Sequence, residues 1–148
     1  MSDTITVTTL KASHASLGVI LSYLSKREPF SSYSVGALAG AIRLQLETGN
    51  HLVALKNEMV VGYAGWMHVT TENAENWLNG DAQLVQTSAT QTEAAALTIV
   101  VADLKQATPM LIRGARDLNQ GVRVVFRRGY ETTGKVAKKQ SVLNYCGS

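Results

Sequence analysis

The stretch Leu97–Tyr130 holds the residue best placed for chemistry, Asp103. It reads LTIVVAD, a short loop, TPMLIRGARDLNQG and VRVVFRRGY, a strand–helix–strand pattern with the aspartate at the first strand's carboxyl end. In an open α/β sheet the mouth beyond the strand ends is where ligands bind. The same position also suits a helix-capping or solvated aspartate, so the residue type alone leaves the role open. The loop Leu104-Lys105-Gln106-Ala107-Thr108-Pro109 that follows offers free backbone amides at a helix start, with Gln106 and Thr108 among them. Thr108 is expected to cap that helix and Pro109 to occupy its first position. Asn119-Gln120-Gly121 is a stop.

The elements that position this unit follow from periodicity. Thr4–Leu10 alternates as an edge strand. Leu17–Leu24 is a dense apolar run that reads as a buried helix, ended at Lys26-Arg27-Glu28-Pro29 because a proline disfavours helical geometry in the residue before it. Ser34 caps a second helix carrying Val35, Leu38, Ala39, Ile42 and Leu46 at helical spacing, closed by Gly49-Asn50. His51–Lys56 and Met59–Val69 form a hairpin whose turn lacks glycine. A short helix over Glu72–Leu78 and a polar loop from Asn79 to Thr92 precede the strand–helix–strand, and Lys135–Leu143 holds a last strand. The fold class is mixed α/β, with a sheet partly antiparallel and partly parallel, in a single domain over residues 1–148.

Composition excludes several classes. Of 148 residues, 45% are hydrophobic and 17% charged, an ordinary globular balance. One cysteine, Cys146, allows no disulfide framework within the chain, which fits a cytoplasmic setting. No secretory pattern opens the sequence and no apolar run reaches the length of a membrane span. Three dispersed histidines suggest no metal site, and phosphate-loop, His-Glu-x-x-His and Gly-x-Ser-x-Gly motifs are absent. The net charge is +3, with Arg123, Arg127, Arg128, Lys135, Lys138 and Lys139 crowded late in the sequence. Such a patch steers an acidic partner. Nucleic acid would rest on this patch alone and is disfavoured.

The order of elements resembles the Gcn5-related N-acyltransferase fold. The glycines with which ordinary acetyltransferases approach the coenzyme A pyrophosphate are missing between Asp103 and Pro109, so acetyl coenzyme A is not the favoured donor. More specifically, Lys26-Arg27-Glu28-Pro29-Phe30 with Ala41-Ile42-Arg43, Gly65-Trp66, Thr71-Glu72-Asn73, Ala102-Asp103, Arg128 and Gly134-Lys135-Val136 stand in the order and near-constant spacing of the RTX toxin-activating lysine acyltransferases. The chain resembles that family over roughly Ser22–Gln140. The resemblance implies transfer of a fatty acyl group from an acyl-carrier-protein or coenzyme A thioester to a lysine or ornithine side-chain amine, in a protein or a ribosomal peptide precursor. It also implies no tightly bound cofactor, an acyl carrier protein as partner, and possible homodimers. Asp103 falls on the family's catalytic aspartate, while Lys26 stands where the family has its histidine. Arg27 falls in the same segment, and Trp66 and Arg128 match further positions on the donor or substrate side.

Amide formation requires that the amine lose its proton and that the oxyanion be stabilised. Asp103, at an apolar strand end, is expected to have a raised pKa and to act as that base, or to orient the incoming ammonium. Lys26 would need burial to become a base; otherwise it pairs with Asp103 or contacts a donor phosphate. His68 shares strand parity with Trp66 and is the alternative base, or a packing residue. Two other readings stay open: a catalytically inactive Gcn5-like module that binds an acyl carrier protein, and a small-molecule acetyltransferase.

Overall fold

A computed structural model describes residues 4–88, 92–127 and 140–142. The elements are β1 (Ile5–Thr8), α1 (His14–Leu24), α2 (Val35–Thr48), β2 (His51–Lys56), β3 (Met59–Val69), α3 (Thr71–Leu78), β4 (Ala94–Ala102), α4 (Ala107–Leu118), β5 (Arg123–Arg127) and β6 (Gln140–Val142), with a 3-10 turn at Phe30–Ser32. The sheet has the strand order β1-β2-β3-β4-β5-β6. β1 and β2, β2 and β3, and β5 and β6 pair antiparallel, while β4 and β5 pair parallel from Ala94↔Arg123 to Leu97↔Phe126. The Asp103 amide donates to the Val61 carbonyl and the Glu93 amide to that of Val69, so β4 runs antiparallel to β3. The mixed α/β class is therefore as expected from the sequence.

The chain divides into two compact units, one of residues 1–65 and 100–112, the other of residues 66–99 and 113–148. In the first, α1 packs on α2. α1 begins earlier than its apolar run, because Ser13 caps it by accepting from the Ser16 amide. It is not buried all round. Ile20, Tyr23 and Leu24 are buried, whereas Val19 lies open to solvent. α2 starts at the Ser34 cap as expected and buries Leu38, Ile42, Gln45 and Leu46, one face at helical spacing. Each such aliphatic side chain contributes about 1.5–3 kcal/mol on burial. Gly49, at φ +77°, closes α2, with the Asn50 amide returning to the Gln45 carbonyl.

The β2–β3 turn manages without glycine. Asn57 and Glu58 both have positive φ, 52° and 67°, the pattern of a two-residue type I′ hairpin turn. In the second unit, α3 starts at the Thr70 cap and its buried Ala74 and Leu78 join Val69, Ala94, Ala96 and Val125 in one apolar cluster. Part of the polar segment after α3 is held by hydrogen bonds at Gln83, Val85 and Thr87. Asn73 donates to the Gln83 carbonyl and accepts from the Val85 amide, and the Thr87 amide donates to the His68 carbonyl.

Candidate functional site

Asp103 follows β4 directly, where the strand's last residues meet the turn into α4. Its two carboxylate oxygens are taken by one guanidinium. Arg27 Nε donates to Oδ1 at 2.9 Å and Nη2 donates to Oδ2 at 2.7 Å. Arg27 lies in the turn after α1, and Nη1 donates to the Tyr23 carbonyl. The guanidinium carbon also stands 3.7 Å from the centroid of the Tyr23 ring, a cation–π contact. Tyr23 and Arg27 are four residues apart, the spacing that brings side chains of one helical face together.

This geometry corrects the electrostatic expectation for Asp103. Its pKa is lowered, not raised, chiefly because Arg27 hydrogen-bonds the charged carboxylate, which outweighs the opposing effect of partial burial. The same bond raises the pKa of Arg27. The Tyr23 hydroxyl is pushed up to about 12, first by burial and then by the charge of Asp103. An apolar strand end raises a carboxylate only when no cation reaches it, and here a bidentate one does.

The other expected residues of this unit stand as follows. Lys26 is exposed, so the burial that a basic amine would need is absent, and the ion pair with Asp103 is made by its neighbour Arg27. Gln106 is exposed in the turn before α4. Thr108 is inside α4 and does not cap it, because the helix begins one residue earlier, at Ala107. Pro109 is still accommodated, since the first-turn amides of a helix have no intrahelical acceptor.

The second unit holds Trp66 and His68. Trp66 is 2% exposed, and its indole Nε1 is buried without a hydrogen-bond partner among the described residues. His68 is half-buried. Its Nε2 lies 2.7 Å from Asn119 Oδ1 just beyond α4, and Asn119 Nδ2 donates to the Ala115 carbonyl at 2.7 Å. The backbone of His68 is held as well: its amide donates to Gln86 Oε1 and its carbonyl accepts from the Thr87 amide. Arg123 approaches Glu75 at 3.8 Å. Arg128, Lys135, Lys138, Lys139 and Cys146 lie outside the described residues. Among the described residues no cluster of histidine, cysteine or carboxylate side chains could hold a metal ion.

Sequence reasoning misses Tyr23 and Asn119. The i, i+4 spacing to Arg27 is the available signal for the first. For the second there is only its place in a helix stop. His51, which by sequence flanks a predicted strand and has a weaker claim than His68, is a fully buried histidine whose Nδ1–H donates to the Gln45 carbonyl and whose Nε2 accepts from the Leu10 amide. Both ring nitrogens are used and burial lowers its pKa, so His51 is a neutral, structural residue.

No family model matches this chain, and no curated protein matches it. Solved structures do. The loading GNATL domain of CurA from Lyngbya majuscula superposes with a TM-score of 0.54 at 10% identity, over 84% of this chain and 64% of that one. The fold is that of the Gcn5-related N-acetyltransferases. This GNAT fold is seen again in an acetyltransferase from Brucella melitensis in complex with acetyl-CoA, at TM-score 0.54 and 14% identity over 86% and 78% of the two chains. The GNAT-like decarboxylase GphF in complex with isobutyryl-CoA gives TM-score 0.60 and 15% identity over 84% and 67%. The present chain thus spans less than two thirds of the Lyngbya domain's length. Among the described residues, no helix is long and apolar enough to cross a membrane.

Proposed function

We propose that this chain is a single-domain N-acyltransferase. It moves a fatty acyl group from an acyl-carrier-protein or coenzyme A thioester to the side-chain amine of lysine or ornithine, in a protein or a ribosomal peptide precursor. The amine nitrogen attacks the thioester carbonyl, the new C–N bond forms, the C–S bond breaks, and the thiol leaves with one proton. The fold supports the reaction class, and acyl-CoA molecules are bound in two proteins that share it. Fold alone does not assign the reaction, since one of those two is a decarboxylase.

The observation that carries the reading is a contrast between two candidate bases. Asp103 has both oxygens committed to Arg27, whereas the His68 ring keeps one nitrogen without a partner among the described residues. His68 is therefore the base in this proposal, and Asp103 is the anchor that sets Arg27 and the β4–α4 turn. Trp66 is proposed to bound the acyl chain, and Arg128 to meet the acidic face of a carrier protein.

The test is intact-mass analysis of lysine- and ornithine-containing peptides after incubation with acyl-carrier-protein and acyl-CoA thioesters of graded chain length. The expected result is one acyl addition per acceptor with matching thiol release. His68→Ala is expected to slow it by about 10²–10⁴, the usual contribution of a general base. No addition with any thioester, or a His68→Ala enzyme at full rate, would sink the proposal. The exposed Lys26 in place of a family histidine favours a second reading, a non-catalytic module that binds the carrier protein. Carrier binding without acyl addition would select it.

A further inference from the structure

Asn119 is 4% exposed, at a helix end where backbone carbonyls run out of intrahelical partners. Its amide can be oriented in only one way. The Ala115 carbonyl solely accepts, so the atom facing it must be the Nδ2–H donor, and Oδ1 faces His68. Oδ1 bears no hydrogen. The 2.7 Å contact is therefore a bond in which His68 Nε2–H donates. In a neutral imidazole one nitrogen carries the proton, so the lone pair sits on Nδ1, which meets no partner among the described residues. The bonds at the His68 amide and carbonyl fix the backbone from which the ring projects.

We propose that Asn119 is the positioning residue of His68. By accepting Nε2–H it holds the neutral ring in one tautomer and one orientation, with Nδ1 as the open proton acceptor. A base oriented by a third group is the arrangement that general-base chemistry on a weak nucleophile uses. Here the third group is a neutral amide, which orients the ring without adding a charge. The role in turnover rests on the acyl-transfer reading above. The tautomer does not.

Long-range ¹H–¹⁵N correlation spectra of the ¹⁵N-labelled protein, with His68 assigned by its loss in His68→Ala, read the tautomer directly. The wild type is expected to show Nε2–H. Asn119→Leu, which removes the acceptor, is expected to populate both tautomers and to lower kcat at least tenfold with little change in KM. Asn119→Asp, which keeps an acceptor oxygen, is expected to retain Nε2–H and more of kcat than Asn119→Leu. A wild-type ring protonated at Nδ1 overturns the proposal without any variant, and so does an Asn119→Leu spectrum identical to wild type. If Asn119→Leu fails to fold, loss of Nε2–H in Asn119→Asp overturns it. A wild type that shows Nε2–H but acylates nothing counts against the acyl-transfer reading and leaves the tautomer standing.

Discussion

Arg27 closes on Asp103 with two parallel hydrogen bonds, Nε to Oδ1 at 2.9 Å and Nη2 to Oδ2 at 2.7 Å, and so ties the turn after α1 to the end of β4. The side chains are 27% and 38% exposed, so solvent screens the pair, and its loss costs about 0.5–1 kcal/mol rather than the larger figure of a buried bridge. The sign with pH follows from the lowered pKa of Asp103. Its contribution is present above the unfolded carboxylate's 3.8 and is lost as pH falls through the folded value. Arg27→Ala is expected to raise the Asp103 pKa, read by carboxyl ¹³C titration, and to remove that increment of acid-dependent stability.

Because the same pair leaves Asp103 a poor proton acceptor, Asp103→Asn should lose far less acyl-transfer rate than His68→Ala. An asparagine still accepts one bond from Arg27. Single-turnover rates of the two variants at one saturating thioester concentration settle the order. If Asp103→Asn is the more damaged, the base assignment is reversed.

Gly65 stands against Gln45. A Cβ at position 65 would lie 2.1 Å from Gln45 Oε1, the atom that accepts from the Tyr63 hydroxyl at 2.7 Å. Gln45 is buried, so moving its amide strands the hydroxyl as well. Gly65→Ala is expected to destabilise by about 1–3 kcal/mol, the cost of a buried polar group left unpaired. Urea denaturation followed by fluorescence measures it. An unchanged midpoint would mean that Gln45 finds another place.

His51 makes stability pH-dependent near neutrality. Its folded pKa is lowered from 6.5 by burial, so the unfolded chain binds the proton more readily. Stability from this group is complete above 6.5 and falls as pH drops toward the folded value. The urea midpoint of the wild type should decline over that window. His51→Phe should be less stable at neutral pH, because the Leu10 amide and Gln45 carbonyl lose their partner, but should flatten the slope below 6.5.

Glu58 adopts φ 67° in the hairpin turn, a conformation that costs a residue with a Cβ about 1–2 kcal/mol. Glu58→Gly sets a glycine directly after Asn57 and so supplies the Asn-Gly pair that a type I′ turn prefers. It is expected to stabilise by about 0.5–1 kcal/mol, after the entropy that glycine gains in the unfolded chain, and to raise Tm by roughly 2–4 °C in a scanning calorimeter.

Much of the architecture is written locally. The Ser34 cap and Gly49 stop bound α2, the apolar run Leu97–Ala102 lies within β4, and β1, read as an edge strand, sits at the sheet edge. These features depend on neighbours a few residues away, so periodicity and capping chemistry reveal them. Local sequence also misjudges some ends. The Ser13 cap extends α1 back beyond its apolar run, and α4 opens at Ala107, whose amide donates to the Leu104 carbonyl, two residues ahead of Pro109.

The chemistry of the candidate residues was decided elsewhere. By sequence Asp103 is a carboxylate that burial would raise, and it becomes an anchored anion because Arg27, 76 residues earlier in the chain, reaches it. By sequence His68 is one of two strand neighbours. Its proton position depends on Asn119, 51 residues later, whose own orientation depends on the Ala115 carbonyl. A pKa or a tautomer is set by whatever charge or dipole lies within a few ångströms. The sequence by itself determined which residue types and which elements are present. Only the tertiary structure decided which cation meets which carboxylate, and which lone pair remains open.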